Sequence, residues 1–364
     1  MVRPIARVLV FPFAMAVLLV GIYTAAMHAP TPHHLKVAVA GSPAQTGPPA
    51  ASLRKAVGDA YDVSTVASTE QARQLVAHRA VAAAYVPAPT PGDRDAGTPG
   101  AAFAQPPHPS GPLLYVASGA GAAQVNLAAL PFENVAVQQH QFLQVRDLVP
   151  LSGDDASDTS TMYAAIGLTL AGYLSAVMLS TVFGTALTRR RTVAALAAFG
   201  TVAAITVWLI TGPILGAVHG FAPAILVTGW LTVMAVGLAT VFLSRFCGRM
   251  TPLAAVGIFM FLAMPASGAA LPIAAMPAPI RALHDLLPMT STAGSLRQIM
   301  YFDSDGIGRY WLALGLWVIA GLALTLAYDS LRARRTSRAS RASHRNDTAA
   351  QPRQTAEPVP SPSS

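Results

Sequence analysis

From Thr159 to His284 the chain contains neither Asp nor Glu, and its basic residues there are confined to Arg189–Arg191, Arg245, Arg249 and Arg281. A soluble fold keeps both signs of charge interspersed over its surface, and a stretch this long without acids cannot do so. The whole chain of 364 residues is 53% hydrophobic and 11% charged, against about 25% charged in ordinary soluble domains. A cytosolic enzyme is excluded, and the expectation is a polytopic α-helical membrane protein. The single cysteine, Cys247, excludes a disulfide framework and a Cys-based metal site. A net charge of +8 raises the question of nucleic acid. The arginines gather at the edges of apolar runs and in the C-terminal tail, so they read as topology signals and no nucleic-acid partner is expected.

About 20 consecutive apolar residues carry a helix across a bilayer core. Six runs qualify: about Val8–Met27, Met162–Ala186, Val193–Val218, Ala224–Phe246, Pro252–Leu271 and Tyr310–Tyr328. With the N-terminus inside, residues 1–7, the Arg189–Arg191 turn, the Arg245–Arg249 turn and the tail face the cytoplasm. Those pieces hold 14 of the 24 Lys and Arg residues, and every short turn obeys the positive-inside rule. Both termini are expected inside. Asp154, Asp155 and Asp158 lie just outside the second span. The first run has a rival reading as a cleaved signal peptide, given its basic start and the small residues Thr24-Ala25-Ala26. Its apolar stretch is long for a signal, which favours an uncleaved anchor.

The domains expected are a start and first span over 1–27, a small α/β extracytoplasmic domain over 28–160 inserted between helices 1 and 2, a five-helix membrane domain over 161–330, and a disordered basic tail over 331–364. In the inserted domain Leu35–Ala40 (LKVAVA) reads as a strand, Gly41–Pro49 as a break and Ala51–Ala60 as a helix. Tyr61–Ala67 reads as a strand, Thr69–Arg79 as a helix capped by Thr69, and Ala80–Val86 as a strand. A loop at 87–112 and a strand at Leu113–Ser118 follow. Alternating strands and helices predict a partly parallel sheet.

Chemical motifs are scarce. His33-His34 lacks carboxylate or thiol partners at ligand spacing and reads as solvated surface. The run Gln138–Gln141, with His140, reads as a polar helix face. Ser118-Gly119-Ala120-Gly121 follows a strand, but Gln124 replaces the third glycine of a dinucleotide fingerprint. No HExxH or GxSxG occurs, so no catalytic residue, metal or cofactor is expected. The spans carry no ionisable group away from their ends, which disfavours proton- or sodium-driven transport. The two lysines, Lys36 and Lys55, lie in no phosphate-binding loop, so any ATPase must be a separate chain. Gly212, Gly216 and Gly220 recur at four-residue spacing, a helix-packing pattern that fits an intrachain seam or a dimer seam equally.

Between the fifth and sixth spans, Pro265, Pro272, Pro277 and Pro279 break the chain. Ile280–Leu287 reads as a short amphipathic helix ended by Pro288, and Thr290–Ile299 as a second. Together they predict an outer hairpin over 272–308, in or dipping into the interface, with Tyr301, Tyr310 and Trp311 as interfacial anchors. Its sequence, Ser267-Gly268-Ala269-Ala270-Leu271-Pro272, Met276-Pro277, Leu283-His284, Leu286-Leu287-Pro288-Met289 and Thr290, resembles the outer hairpin of ABC-2 type permeases, in particular the YhgE/Pip (phage infection protein) branch. LKVAVA and Leu148-Val149-Pro150-Leu151 fit the same branch.

The resemblance implies a permease subunit of an exporter, pairing as a homodimer or with another permease and driven by a separate cytoplasmic ATPase. An amphiphilic or lipid-like substrate follows from that analogy and from the uncharged spans. Pro272, Pro277, Leu283, His284, Leu287, Pro288 and Thr290 are then the candidate hairpin residues. Arg189, Arg190, Arg191, Arg245 and Arg249 are the candidate cytoplasmic contacts, although both turns are short for a coupling helix. Anionic lipids are the expected partners of the basic tail. The other reading is a non-transporting envelope protein whose outer domain binds a phage, secretion-system or cell-wall partner.

Overall fold

The computed structural model describes residue 17 and residues 32–41, 43–88, 111–155, 157–184, 186–216 and 220–350. The expected first span therefore lies outside the described residues except Val17, which is helical.

β1 (Leu35–Ala40), β2 (Tyr61–Val66), β3 (Ala83–Val86), β4 (Leu113–Val116) and β5 (Gln144–Asp147) form one sheet in the order β2-β1-β3-β4-β5. β1 pairs parallel with β2 and β3, β3 pairs antiparallel with β4, and β4 pairs parallel with β5. The partly parallel sheet expected from the alternating pattern is present. β1 is central and covered on both faces, which is why it is almost continuously apolar. Leu35, Val37 and Val39 pack with Ala50 and Leu53 of α1 (Pro43–Val57) and Phe132 of α3 (Ala122–Gln138). Ala38 and Ala40 pack on the other face with Ala72 and Val76 of α2 (Thr69–Ala77). Tyr85 stacks on Phe132 with ring centroids 5.2 Å apart.

Several boundaries differ from expectation. α1 reaches back to Pro43 through Gly47, Pro48 and Pro49, where a break was expected, and it ends in a 3-10 turn at Gly58–Ala60. Ser68, not Thr69, caps α2: its hydroxyl accepts the Gln71 N–H at 3.2 Å, leaving Thr69 as the first helical residue. Arg79 lies past the helix in a left-handed turn with φ +58°. The Gln138–His140 run caps and follows α3 and is exposed.

Four helical runs among the described residues are long and apolar enough to cross a membrane: Thr159–Val182, Arg189–Ile214, Ala222–Ala266 and Ile307–Arg332. α4 (Thr159–Val182) starts on Asp155, whose carboxylate accepts the N–H groups of Thr159 and Ser160 at 2.9 Å each. It ends at Gly184, φ +52°, whose N–H bonds back to the Ser180 carbonyl. α5 (Arg189–Leu209) passes into a π-helical turn, Ile210–Ile214, around Pro213. α6 (Ala222–Cys247) is the central helix. Its apolar window is 67% buried, against 17% for the Arg189–Ile214 and Ile307–Arg332 runs.

The 45-residue run Ala222–Ala266 doubles back at Gly248, φ +54°. α7 comprises Thr251–Val256, the π turn Gly257–Leu262 and Ala263–Ala266. It returns along α6, so that Ala255 and Phe259 share a buried cluster with Val236 and Ala239. α8 (Ala278–Leu283) and α9 (Pro288–Tyr301) follow. α10 (Ile307–Ala350) runs on well past the apolar stretch, where a structureless tail was expected. Its continuation is rich in Arg and Ala, good helix formers, and has no proline before Pro352.

The bundle turns apolar side chains outward at helical spacing: Leu174, Met178 and Val182 on α4, Phe199, Val202 and Ile205 on α5, Leu312, Leu316 and Ile319 on α10. Such faces are costly in water and ordinary in lipid. Hydroxyls within the helices bond back to the preceding turn, as at Thr169, Thr232 and Thr240, each 2.8 Å from its acceptor carbonyl.

Candidate functional site

The glycine spacing at 212, 216 and 220 does not make a helix face. Gly212 lies buried in the π turn, while Gly216 (φ +63°) and Gly220 (φ +123°) are outside helix. Pro213 and the two left-handed glycines end the helix, so the four-residue period has no helical surface to act on. Gly220 packs closely from outside helix, since a Cβ there would meet the Ile299 carbonyl oxygen at 2.8 Å, and the helix-to-helix approaches are made around α6. A Cβ on Gly172 would meet Val236 Cβ at 2.9 Å, one on Gly229 would meet Ala204 Cβ at 2.9 Å, and one on Gly321 would meet the Leu238 carbonyl carbon at 2.9 Å.

The second half of the hairpin, α9, is buried in protein, whereas α8 and the turn after it keep Pro279, Ala282, Asp285 and Leu286 exposed. Nearly all of α9 is covered, from Pro288 to Ile299, because it inserts among α4, α6 and α10 at the end that carries the sheet. Its Thr292 hydroxyl shares a 2.8 Å hydrogen bond with Thr232 of α6. The expected interfacial anchors turn inward for the same reason. Tyr301 packs on Gly119, Tyr310 on Gly294, and Trp311 donates to Thr228 Oγ1 at 2.9 Å.

Past the midpoint of this inserted helix sits a buried ion pair. Arg297 Nε donates to Asp158 Oδ2 at 2.7 Å, and Nη2 reaches the same oxygen. Nη1 and Nη2 also donate to the Gly268 and Ala269 carbonyls, 3.0 Å each. The two side chains are 8% and 2% exposed. One guanidinium therefore ties together the start of α4, the loop leaving α7 and the middle of α9. Asp158 adopts φ +54°, a left-handed conformation that Asp tolerates better than most residues. Its second oxygen, Oδ1, has no hydrogen-bond partner, so the pair depends on Arg297 for nearly all its compensation.

Arg79, from the turn after α2, approaches the same place. Its Nη1 donates to Gln298 Oε1 at 3.3 Å, and its guanidinium lies over the Phe302 ring, 5.2 Å from the centroid. Burial, then the like charges of Arg297 and Arg309, lower its pKa against the pull of Tyr310; arginine remains protonated even so. The Tyr301 phenol is pushed up to about 12 by burial and by the negative charges of Asp158 and Asp155. His33 N–H donates to the Ala274 carbonyl at 2.8 Å, and His34 pairs with Asp62 at 3.1 Å. The histidine pair thus belongs to the seam between sheet domain and hairpin, although the His34 and Asp62 side chains are solvated.

A cavity of about 150 Å³ lies at this seam. Pro272, His284 and Thr290 line it together with Arg79, Asp158 and Arg297. His284 Nδ1 is 2.6 Å from the Ala266 carbonyl, and Thr290 Oγ1 donates to the same oxygen at 3.4 Å. Leu283 and Leu287 pack into the cluster around Ala263, Ala266 and Met276. Pro277 and Pro288 open α8 and α9, where a missing N–H costs nothing. Gly121 of the Ser118–Gly121 segment abuts Arg297 Nη2 at 3.5 Å from a built Cβ, so these glycines serve close packing here. Among the described residues no group of three His, Cys, Asp or Glu is arranged to hold a metal.

At the opposite end the arginines gather around a different acid. Arg189 Nη2 lies 3.2 Å and Arg245 Nη1 3.9 Å from the Asp329 carboxylate of α10. Arg190 and Arg191 are exposed in the first turn of α5. Three cations at a helix N-terminus oppose the helix dipole, so they do not serve the helix itself. Arg249 lies beyond α6 beside Arg245.

No family model, curated protein or solved structure matches the chain. The Arg297–Asp158 pair and the Arg189–Asp329 pair were both missed by motif reasoning. The available signal was Arg297 itself, a lone charge between Leu296 and Ile299 that a buried helix can hold only against a partner.

Proposed function

We propose that this chain is the membrane-spanning permease subunit of an ABC-2 type exporter in a bacterial cytoplasmic membrane, moving an amphiphilic or lipid-like substrate. In this reading Val8–Met27 is the first of six spans, α6 and α7 are two spans, both termini are cytoplasmic and the sheet domain is extracytoplasmic. Energy comes from a separate cytoplasmic ATPase, and the permease acts as a dimer with itself or a second permease. The observation that carries this reading is the broken hairpin of α8 and α9, inserted into the bundle between α7 and α10 at the sheet-domain end. It occupies the position in which the resemblance to ABC-2 permeases expects one. The absence of acids from Thr159 to His284 supports an external energy source over an ion gradient.

The arginine end favours a second reading. The turn from α6 to α7 is a 3-10 turn at Gly248–Met250, too short for an amphipathic coupling helix. A non-transporting envelope protein that binds a partner through its sheet domain would need no such helix. Crosslinking and purification of the full chain from native membranes separates the two. The permease reading expects a nucleotide-binding ATPase to co-purify, with its ATP hydrolysis raised several-fold on co-reconstitution. Recovery without any ATPase contradicts it and leaves the envelope reading.

A further inference from the structure

At the arginine end, the termini of α4, α5, α6, α7 and α10 enclose a second cavity of about 540 Å³, within the range of small-ligand pockets of about 300–1,000 Å³. Arg245, Arg249 and Arg332 line it, and among the described residues no carboxylate does. Asp329 stands beside it but is already engaged by Arg189 and, more distantly, by Arg245. Four of the five hydroxyls in its wall bond to carbonyls three or four residues back: Thr181 donates to Val177, Thr192 to Thr188, Ser244 to Val241 and Thr251 to Gly248. The three arginines are the charged groups of the wall, with the Ser180 hydroxyl beside them. The remaining wall, with Val177, Leu179 and Val241, is apolar.

A cationic rim above an apolar wall, at the end of membrane-length helices, suits one chemistry: a phosphate attached to hydrocarbon. Guanidinium groups bind phosphate oxygens in paired hydrogen bonds, and basic pockets between spans are where anionic headgroups are held. We propose that this cavity binds the headgroup of an anionic phospholipid, its phosphate against Arg249 and Arg332 and its acyl chain along the Val177 and Val241 wall. The assignment rests on the membrane-spanning reading but not on transport.

The test uses the full chain in nanodiscs of phosphatidylglycerol or phosphatidylcholine, followed by mild detergent extraction and native mass spectrometry. A retained phosphatidylglycerol, with no comparable retention of phosphatidylcholine, is expected. Replacing Arg249 and Arg332 together by Gln lowers lipid affinity by about 30-fold, roughly fivefold for each charge. Arg190→Gln, outside the cavity, leaves it unchanged. The Arg249→Lys, Arg332→Lys pair keeps the charge without the paired hydrogen bonds and restores part of the binding, and an unfolding midpoint equal to the parent's shows that the Gln pair is folded. Equal retention of both lipids, or an equal loss with Arg190→Gln, overturns the site. Displacement by inorganic phosphate at the same concentration overturns the lipid assignment. A chain recovered in the soluble fraction would instead refute the membrane reading itself.

Discussion

The two ends of the helical bundle each carry arginines beside one carboxylate, and burial makes them different objects. At the sheet-domain end Arg297 and Asp158 are almost wholly enclosed, and the guanidinium is shared among a carboxylate and two carbonyls. At the other end Arg189 is 44% exposed and Asp329 25% exposed, and the pair sits among further arginines. Enclosed, a charge pair is a structural commitment, because removing one partner strands the other in a low dielectric. Exposed, the same pair is screened and loosely held, and its surplus charge is available to something outside the chain. The first end is built to stay together, while the second carries its surplus of positive charge at the surface.

The sharpest way to break this contrast is Arg297→Met. It leaves Asp158 buried and unpaired, and a loss of about 3–5 kcal/mol is expected, read as a large fall in the unfolding midpoint of the detergent-solubilised chain. Adding Asp158→Asn should recover much of that loss. A double variant as unstable as the single one would show that packing, not charge, holds the seam. Gly294→Ala tests how tightly the same end is fitted. The new Cβ would come within 2.4 Å of the Tyr310 ring, and a cost of about 1–3 kcal/mol follows from overpacking. Gly315→Ala on α10, where nothing lies within 4 Å, serves as the neutral comparison, within about 0.5 kcal/mol of the parent. The smallest effect belongs to the other end. Arg189→Gln should change stability by no more than about 1 kcal/mol, and a larger loss would put that pair in the same class as Arg297–Asp158.

What could be read in advance follows the range over which each interaction acts. β1 was legible because LKVAVA is a short apolar run of β-formers, and α4 because its apolar run exceeds the bilayer requirement. β5, with the sequence QVRD, was not: all four residues are exposed, so no alternation marks it and only pairing to β4 makes it a strand. The glycines at 212, 216 and 220 carried a helical period, but Pro213 and two left-handed conformations removed the helix. The hairpin was legible as broken helix and proline, yet the burial of α9 was not. That burial depends on Thr292 meeting Thr232 and on Arg297 meeting Asp158, pairs far apart in the chain. Asp155 and Asp158 were legible as charges just before the second span, but not that one starts α4 and the other anchors α9. A local pattern reports that a segment is apolar, but not which acid its lone arginine will find.

The contrast between the ends has meaning only if a membrane lies between them. The most direct measurement is side-specific labelling in intact cells, using a Cys247→Ser background with one new cysteine at Gln139, exposed beyond α3, or at Arg190, exposed on α5. A membrane-impermeant maleimide should label Gln139→Cys in intact cells and Arg190→Cys after lysis alone. Labelling of both positions from the same side would contradict the account.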